Sequence, residues 1–99
     1  MRLKFRIVGQ TSDNKLLFAG VFEFYDTKGL PLDVLFDLMI KKGWMPSWID
    51  FYEEALKAGW KHKTIISRLS ESIADVWDKD FRDTVIKRLE NMKTETINS

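Results

Sequence analysis

Residues 30–60 read LPLDVLFDLMIKKGWMPSWIDFYEEALKAGW, and this stretch contains two segments that end alike. The first segment ends in Lys-Lys-Gly-Trp and the second in Lys-Ala-Gly-Trp. Glycine readily adopts the left-handed conformation that follows the last turn of many helices, and an apolar residue after it packs back on that turn. The stretch therefore predicts two helices, at about 31–42 and 47–58, with corners at Gly43 and Gly59.

The first of these helices is predicted to lie at the centre of the fold. Its polar positions are Asp33, Asp37 and Lys41, which form one stripe because they are spaced by four residues. Apolar residues occupy nearly every other position, and a helix that is apolar around most of its circumference is usually buried. For the second helix, Ser47 is the predicted N-cap, and Asp50 lies on the side that we expect to face water.

Two stretches before these helices alternate apolar and polar side chains, which is the pattern of half-buried strands. They cover about residues 2–9 and 16–25, and the polar residues 10–15 predict a turn between them. The register that collects large side chains on one face pairs Leu3 with Phe22, Phe5 with Gly20 and Ile7 with Phe18, and places Arg2 opposite Glu23. Pattern and charge therefore predict an antiparallel β-hairpin whose buried face includes Ile7.

A two-stranded hairpin is marginal in water, so its apolar face needs a cover. Helices of the same chain supply one cover. A second copy that adds its strands edge to edge supplies another, which predicts a homodimer through the hairpin. The sequence leaves both possibilities open.

The C-terminal third carries two further apolar stripes. One belongs to a predicted helix at about 63–77, for which Thr64 is the expected cap, and the other to a predicted helix at about 80–93. A single helix through both would rotate the second stripe away from the first, since successive residues turn by about 100°. We therefore favour a break at residues 78–80 over one continuous helix, with Asp80 and Asp83 as the new cap.

Taken together, the patterns predict a single α+β domain at residues 1–93, in which an N-terminal hairpin packs on a bundle of three to four short helices. Residues 94–99 are polar and predict a flexible tail.

Composition limits the classes of function. The chain has 99 residues, of which 44% are hydrophobic and 31% charged, and its net charge is +1. This balance is typical of a globular domain with no overall field that attracts nucleic acid or membranes. No run approaches the roughly 20 apolar residues that span a bilayer, so we expect no membrane partner and a cytoplasmic location.

No pattern typical of catalysis is evident in the sequence. His62 is the only histidine and there is no cysteine, so these ligands do not complete a metal site. The five glycines are not spaced as in phosphate-binding loops, and the aspartates near residue 80 lack the glycine and glutamate of a calcium loop. We therefore predict no catalytic, cofactor-binding or metal-binding residues and a protein that is not an enzyme.

Residues 55–65, ALKAGWKHKTI, resemble the helix-turn-helix motif of DNA-binding proteins. The motif favours a small residue at the place of Ala55, a glycine at Gly59 and a branched aliphatic residue at Ile65. The resemblance implies a reading helix that starts near Lys63 and contacts duplex DNA through Lys61, His62, Lys63, Ser67 and Arg68. A generic corner between two helices explains the same pattern, because the helix before Gly43 ends in the same Gly-Trp pair.

The aromatic residues predict a different partner. Four tryptophans, seven phenylalanines and two tyrosines are more than a core of this size readily buries. Tryptophan and tyrosine on a surface are frequent anchors of protein interfaces, and those that flank loops are the expected anchors here: Tyr25, Trp44 and Trp60. The main prediction is a small protein-binding module that docks on a larger protein, as a regulator or inhibitor of the kind that phages and mobile elements encode. DNA binding is the alternative.

Overall fold

The computed structural model describes the backbone of residues 6–98 and the side chains of residues 6–92. Within this range the chain forms, in order, β1 (Arg6–Gln10), β2 (Leu16–Ala19), α1 (Val21–Lys28), α2 (Leu32–Lys41), β3 (Trp44–Pro46), α3 (Trp48–Lys57), α4 (His62–Val76) and α5 (Lys79–Asn98). The predicted α+β class, with a hairpin followed by a helical bundle, is confirmed.

The sheet has the order β1-β2-β3 and contains one strand more than predicted. β1 and β2 are antiparallel with Ile7 opposite Phe18, as expected, and the register shifts between Ile7 and Gly9. β3 runs parallel to β2 in a segment that was expected to be a connection between helices. The Leu16 N–H donates to the Gly43 carbonyl at a distance of 3.0 Å, so the corner after α2 leads directly into the sheet.

The prediction of a second strand through residue 25 is wrong after Ala19. Gly20 adopts a left-handed φ of 86° and turns the chain from β2 into α1. Its N–H donates to the Asp50 carboxylate at a distance of 2.8 Å. Asp50 therefore holds this turn, whereas the prediction was that it faces water. Phe22 and Glu23 consequently lie in a helix, which rules out their predicted strand pairing. The other members of the predicted register, Arg2, Leu3 and Phe5, lie outside the described residues.

Both predicted glycine corners are confirmed. Gly43 has a φ of 76° and Gly59 a φ of 97°, each directly after a helix. At the second corner, the Trp60 N–H donates to the Ala55 carbonyl and the Gly59 N–H donates to the Leu56 carbonyl, and both distances are 3.0 Å. This pair of bonds is the Schellman motif, which satisfies carbonyls that the end of a helix leaves without partners.

The predicted helix caps are partly correct. Ser47 caps α3, because its hydroxyl accepts the Asp50 N–H over 3.4 Å. Thr64 does not cap α4, which starts two residues earlier with Lys61 at the N-cap position and no side-chain cap. The break before α5 is confirmed, but the capping carboxylate is that of Asp78, which accepts the Phe81 N–H over 2.8 Å. α5 continues to Asn98, past the predicted end at residue 93.

The core lies where α2, α3, α4 and α5 meet. Its largest fully buried side chains are apolar and come from these four helices, α1 and β3: Val21, Phe36, Met39, Pro46, Phe51, Ile65, Leu69, Ile73 and Leu89. Two predictions of burial are wrong. Val34 and Leu38 leave one side of α2 exposed, so that helix is less central than its composition suggests, and Ile7 on β1 is 58% exposed.

Candidate functional site

The three aromatic residues predicted to anchor a protein interface do not form one patch. Tyr25 and Trp60 lie together, with ring centroids 6.0 Å apart in an edge-to-face arrangement. Trp44 lies elsewhere, on β3, with its ring 4.6 Å from that of Phe18 and the Lys42 ammonium 5.4 Å from its centroid. All three predicted anchors are half-buried and pack against the core, so each helps to close the fold as well as offering a partial surface.

The segment that resembles a helix-turn-helix motif has the interior packing which the motif requires. Ala55 and Ile65 are completely buried on either side of the Gly59 turn. Four of the five predicted DNA contacts are exposed at the start of α4 and along its first turns: Lys61, Lys63, Ser67 and Arg68.

His62, the fifth predicted DNA contact, is engaged inside the bundle. Its Nδ1 lies 2.8 Å from the Tyr52 hydroxyl and its Nε2 lies 2.8 Å from a Glu90 carboxylate oxygen. When Nε2 carries the proton, it donates to Glu90 while Nδ1 accepts the Tyr52 hydroxyl. The imidazole therefore connects α3, α4 and α5, and only 13% of its side chain is exposed.

The Tyr52–His62–Glu90 chain joins three helices through side-chain hydrogen bonds. Tyr52 is 4% exposed, so its hydroxyl is not accessible from outside. Burial, and secondarily the negative charge of Glu90, raises the pKa of the Tyr52 hydroxyl. A raised pKa makes this hydroxyl a poorer nucleophile at neutral pH, since the reactive form is the anion.

Exposed apolar side chains mark a surface that the predicted anchors, Tyr25, Trp44 and Trp60, do not include. Among the described residues, four of the five exposed large hydrophobic side chains occur as neighbours: Ile7 with Val8 on β1, and Val34 with Leu38 on α2. The pair on β1 is the more exposed, at 58% and 50%. The alternating pattern at the N-terminus had suggested that Ile7 faces the core, and the sequence carries no signal that the helices leave this strand uncovered.

β1 is also an edge of the sheet. Its inner side pairs with β2, and no strand of residues 6–98 pairs with its outer side. An edge strand presents backbone N–H and C=O groups along that side, which is the template for pairing with another chain. Exposed apolar side chains and an open backbone edge therefore coincide on this one strand.

A cleft of about 600 Å³ lies between the hairpin turn and α5. Its apolar walls are formed by Leu17, Met45, Trp48, Phe81 and Val85, and polar side chains at its border include Thr11, Asp13, Thr84 and Arg88. These residues come from the hairpin, β3, α3 and α5, so no local spacing in the sequence indicates the cleft.

The charges at the border of this cleft are not equally satisfied. The Asp13 carboxylate accepts from the Thr11 hydroxyl and lies 3.0 Å from the Lys15 ammonium. These contacts, led by the Thr11 hydrogen bond, lower the pKa of Asp13. Arg88 is exposed and makes no ion pair within the described residues. The cleft therefore has one neutralised carboxylate and one available cation at its border.

A shallower groove between α2 and α4 combines acidic and apolar side chains. Asp33, Asp37 and Asp75 line it together with Val34, Leu38 and Val76. Asp37 is paired with Lys41 over 3.0 Å on the surface. Among the side chains that the structure describes, residues 6–92, no cluster of three or more histidine, cysteine, aspartate or glutamate is arranged to hold a metal ion.

Over residues 6–98, the length and polarity of every helix are incompatible with crossing a bilayer. Comparison of the chain with protein-family models, with curated proteins and with solved structures found no match.

Proposed function

We propose that this protein is a small, non-catalytic protein-binding module that docks on a larger protein through the outer edge of β1. The observation that carries the proposal is the exposure of Ile7 and Val8, at 58% and 50%, on a strand that is paired on one side only within the described residues. A partner strand laid beside β1 would both donate and accept backbone hydrogen bonds with it and would cover these side chains. Such docking suits a regulator or inhibitor, because it needs a surface and no reaction.

The size of β1 limits how the docking works. The strand has five residues, or about 17 Å at 3.4 Å per residue. Covering the exposed halves of Ile7 and Val8 contributes roughly 1 kcal/mol each, and each new backbone hydrogen bond about 1 kcal/mol. Association itself costs at least about 4 kcal/mol, so the strand alone does not give tight binding. The partner therefore also contacts surfaces beside the strand, which a larger protein provides.

The proposal is tested by substituting a charged residue for each exposed apolar residue of β1. The chain, tagged at its C-terminus because β1 lies near the other end, is used to capture partners from the source cell at low and moderate salt. Ile7→Lys and Val8→Lys should each abolish capture of a protein that the unchanged chain retains, since both bury a charge in the interface. The matched control is Leu56→Lys, which alters an equally large exposed side chain, 41% exposed, on α3.

Capture that survives both β1 substitutions, or that is lost equally in the Leu56→Lys control, contradicts docking through β1. Thermal unfolding of all three variants should match the unchanged protein, because each substituted side chain is exposed. The sequence also suggested that a second copy of the chain could cover the hairpin. Sedimentation equilibrium tests this, because such a dimer should dissociate on the Ile7→Lys substitution.

DNA binding is a second candidate function, supported by the exposure of Lys61, Lys63, Ser67 and Arg68 along the first turns of α4. It predicts binding of duplex DNA that weakens steeply with salt, because bound lysines release counterions from phosphates. The double substitution Lys61→Ala with Lys63→Ala should weaken binding about equally for all sequences, whereas Lys28→Ala at the end of α1 should not. Absence of any complex at low salt removes this candidate.

A further inference from the structure

We propose that the cleft between the hairpin turn and α5 binds a small aromatic carboxylate. The cleft holds about 600 Å³, within the range of roughly 300–1,000 Å³ typical of small-molecule sites. It has the composition of such sites, with apolar and aromatic walls and a few polar groups at the border. This binding is separate from protein docking on β1, because Ile7 and Val8 do not line the cleft.

The walls favour a flat ring. Trp48 and Phe81 line the cleft with their centroids 6.2 Å apart and their planes at 64°. Both rings also pack on Trp77, at 5.6 Å and 5.3 Å, so they are held in place before a ligand arrives. A ligand ring stacking on one of them and meeting the edge of the other makes the two aromatic arrangements that proteins prefer. Preorganised walls also lower the cost of binding, because little side-chain freedom remains to be lost.

The border charge favours an anion. Asp13 is already neutralised by Lys15 at 3.0 Å. Arg82, in the first turn of α5, pairs with Asp83 over a distance of 2.9 Å. Arg88 has no ion pair within the described residues and borders the apolar walls. Its guanidinium can donate two parallel hydrogen bonds to a carboxylate, whereas a ligand ammonium would find no unoccupied carboxylate at this border.

The experiment compares two ligands of nearly equal shape, 2-naphthoate and the neutral 2-naphthalenemethanol, titrated into the full chain and followed by two-dimensional NMR. We expect 2-naphthoate to shift the resonances of Trp48, Phe81 and Val85 and to bind at least about tenfold more tightly than the alcohol. Arg88→Gln should reduce this preference to less than about threefold while the alcohol binds as before. Lys87→Gln, which removes an exposed cation of α5 that does not line the cleft, should change neither affinity.

Three results overturn the proposal. Absence of shifts at Trp48, Phe81 and Val85 with millimolar 2-naphthoate shows that the cleft is not a binding site for this class. Equal affinity for the two ligands shows that the anion is not recognised. An undiminished preference in Arg88→Gln shows that another group provides the charge recognition.

Discussion

Replacement of Gly59 by alanine tests the corner on which the helical part of the fold depends. Gly59 has a φ of 97°, a region that residues with a Cβ adopt only at a cost. A Cβ built there has no heavy atom within 4 Å, so the substitution causes no clash and its cost is purely conformational. That cost is about 1–2 kcal/mol for a left-handed alanine.

A change of backbone conformation at residue 59 would relieve this strain only by breaking other contacts. If residue 59 left the left-handed region, the hydrogen bonds from residues 59 and 60 to Leu56 and Ala55, both 3.0 Å, would be lost. The Trp60 ring would also leave its edge-to-face contact with Phe22, where the centroids are 5.2 Å apart. We therefore expect Gly59→Ala to lower the free energy of unfolding by about 1–2 kcal/mol, or the melting temperature by roughly 4–16 °C.

Urea denaturation followed by far-ultraviolet circular dichroism measures this difference. Gly59→Asn should cost less than Gly59→Ala, because asparagine tolerates the left-handed region better. The matched control is Gly9→Ala: Gly9 lies outside the left-handed region and its added Cβ would meet only Leu17 Cδ2, at an ordinary 3.7 Å. The control should be neutral or slightly stabilising. The reasoning is refuted if Gly59→Ala unfolds at the same urea concentration as the unchanged protein, or if Gly9→Ala costs as much.

Three further predictions concern side chains that the structure places in unexpected roles. Asp50→Ala should lower the free energy of unfolding by about 1.5–3 kcal/mol, because the N–H of Gly20 loses a charged acceptor. Asp50→Asn retains an acceptor and should lower it less in the same denaturation assay. Asp78→Ala should cost about 1 kcal/mol through loss of the α5 cap, with Asp78→Asn close to neutral because asparagine caps equally well; a loss of equal size in both would contradict capping. Because burial and then Glu90 raise the pKa of Tyr52, the folded chain keeps this proton after the unfolded chain releases its own near pH 10. The stabilisation from Tyr52 is thus complete below about pH 10 and is lost as pH rises towards the folded-state pKa. Urea midpoints from pH 8 to 11 should fall more steeply for the unchanged protein than for Tyr52→Phe, and parallel slopes would exclude the effect.

Local signals account for the parts of the fold that sequence analysis predicted correctly. The corner at Gly59 is encoded within one turn of helix, since only its own φ and the carbonyls just before it are involved. The Ser47 cap involves an N–H three residues away, and the pairing of Ile7 with Phe18 needs only a turn between two short strands. Lys61 and Lys63 are exposed at the start of α4, and their contact with DNA, implied by the helix-turn-helix resemblance, stays a prediction.

The errors have a common physical origin. The alternation through residue 25 fits a strand, yet Phe22 and Tyr25 also have the i, i+3 spacing of one helix face. The turn at Gly20 that starts this helix is held by Asp50, 30 residues away in the sequence. The helix-turn-helix resemblance implied, as the alternative function, that His62 contacts DNA. Its partners, Tyr52 and Glu90, lie on two other helices, and their approach is visible only after the bundle has packed.

By itself the sequence determined the α+β class, the two glycine corners and the positions of most helices, because each depends on residues within a few positions of one another. Only the tertiary structure decided that Trp44–Pro46 joins the sheet, that Ile7 and Val8 remain exposed on its edge, and that Trp48, Phe81 and Arg88 meet around one cleft. Those outcomes depend on which surfaces the packed helices cover and which they leave open. That is a property of the assembled chain, and no short segment of it carries the information.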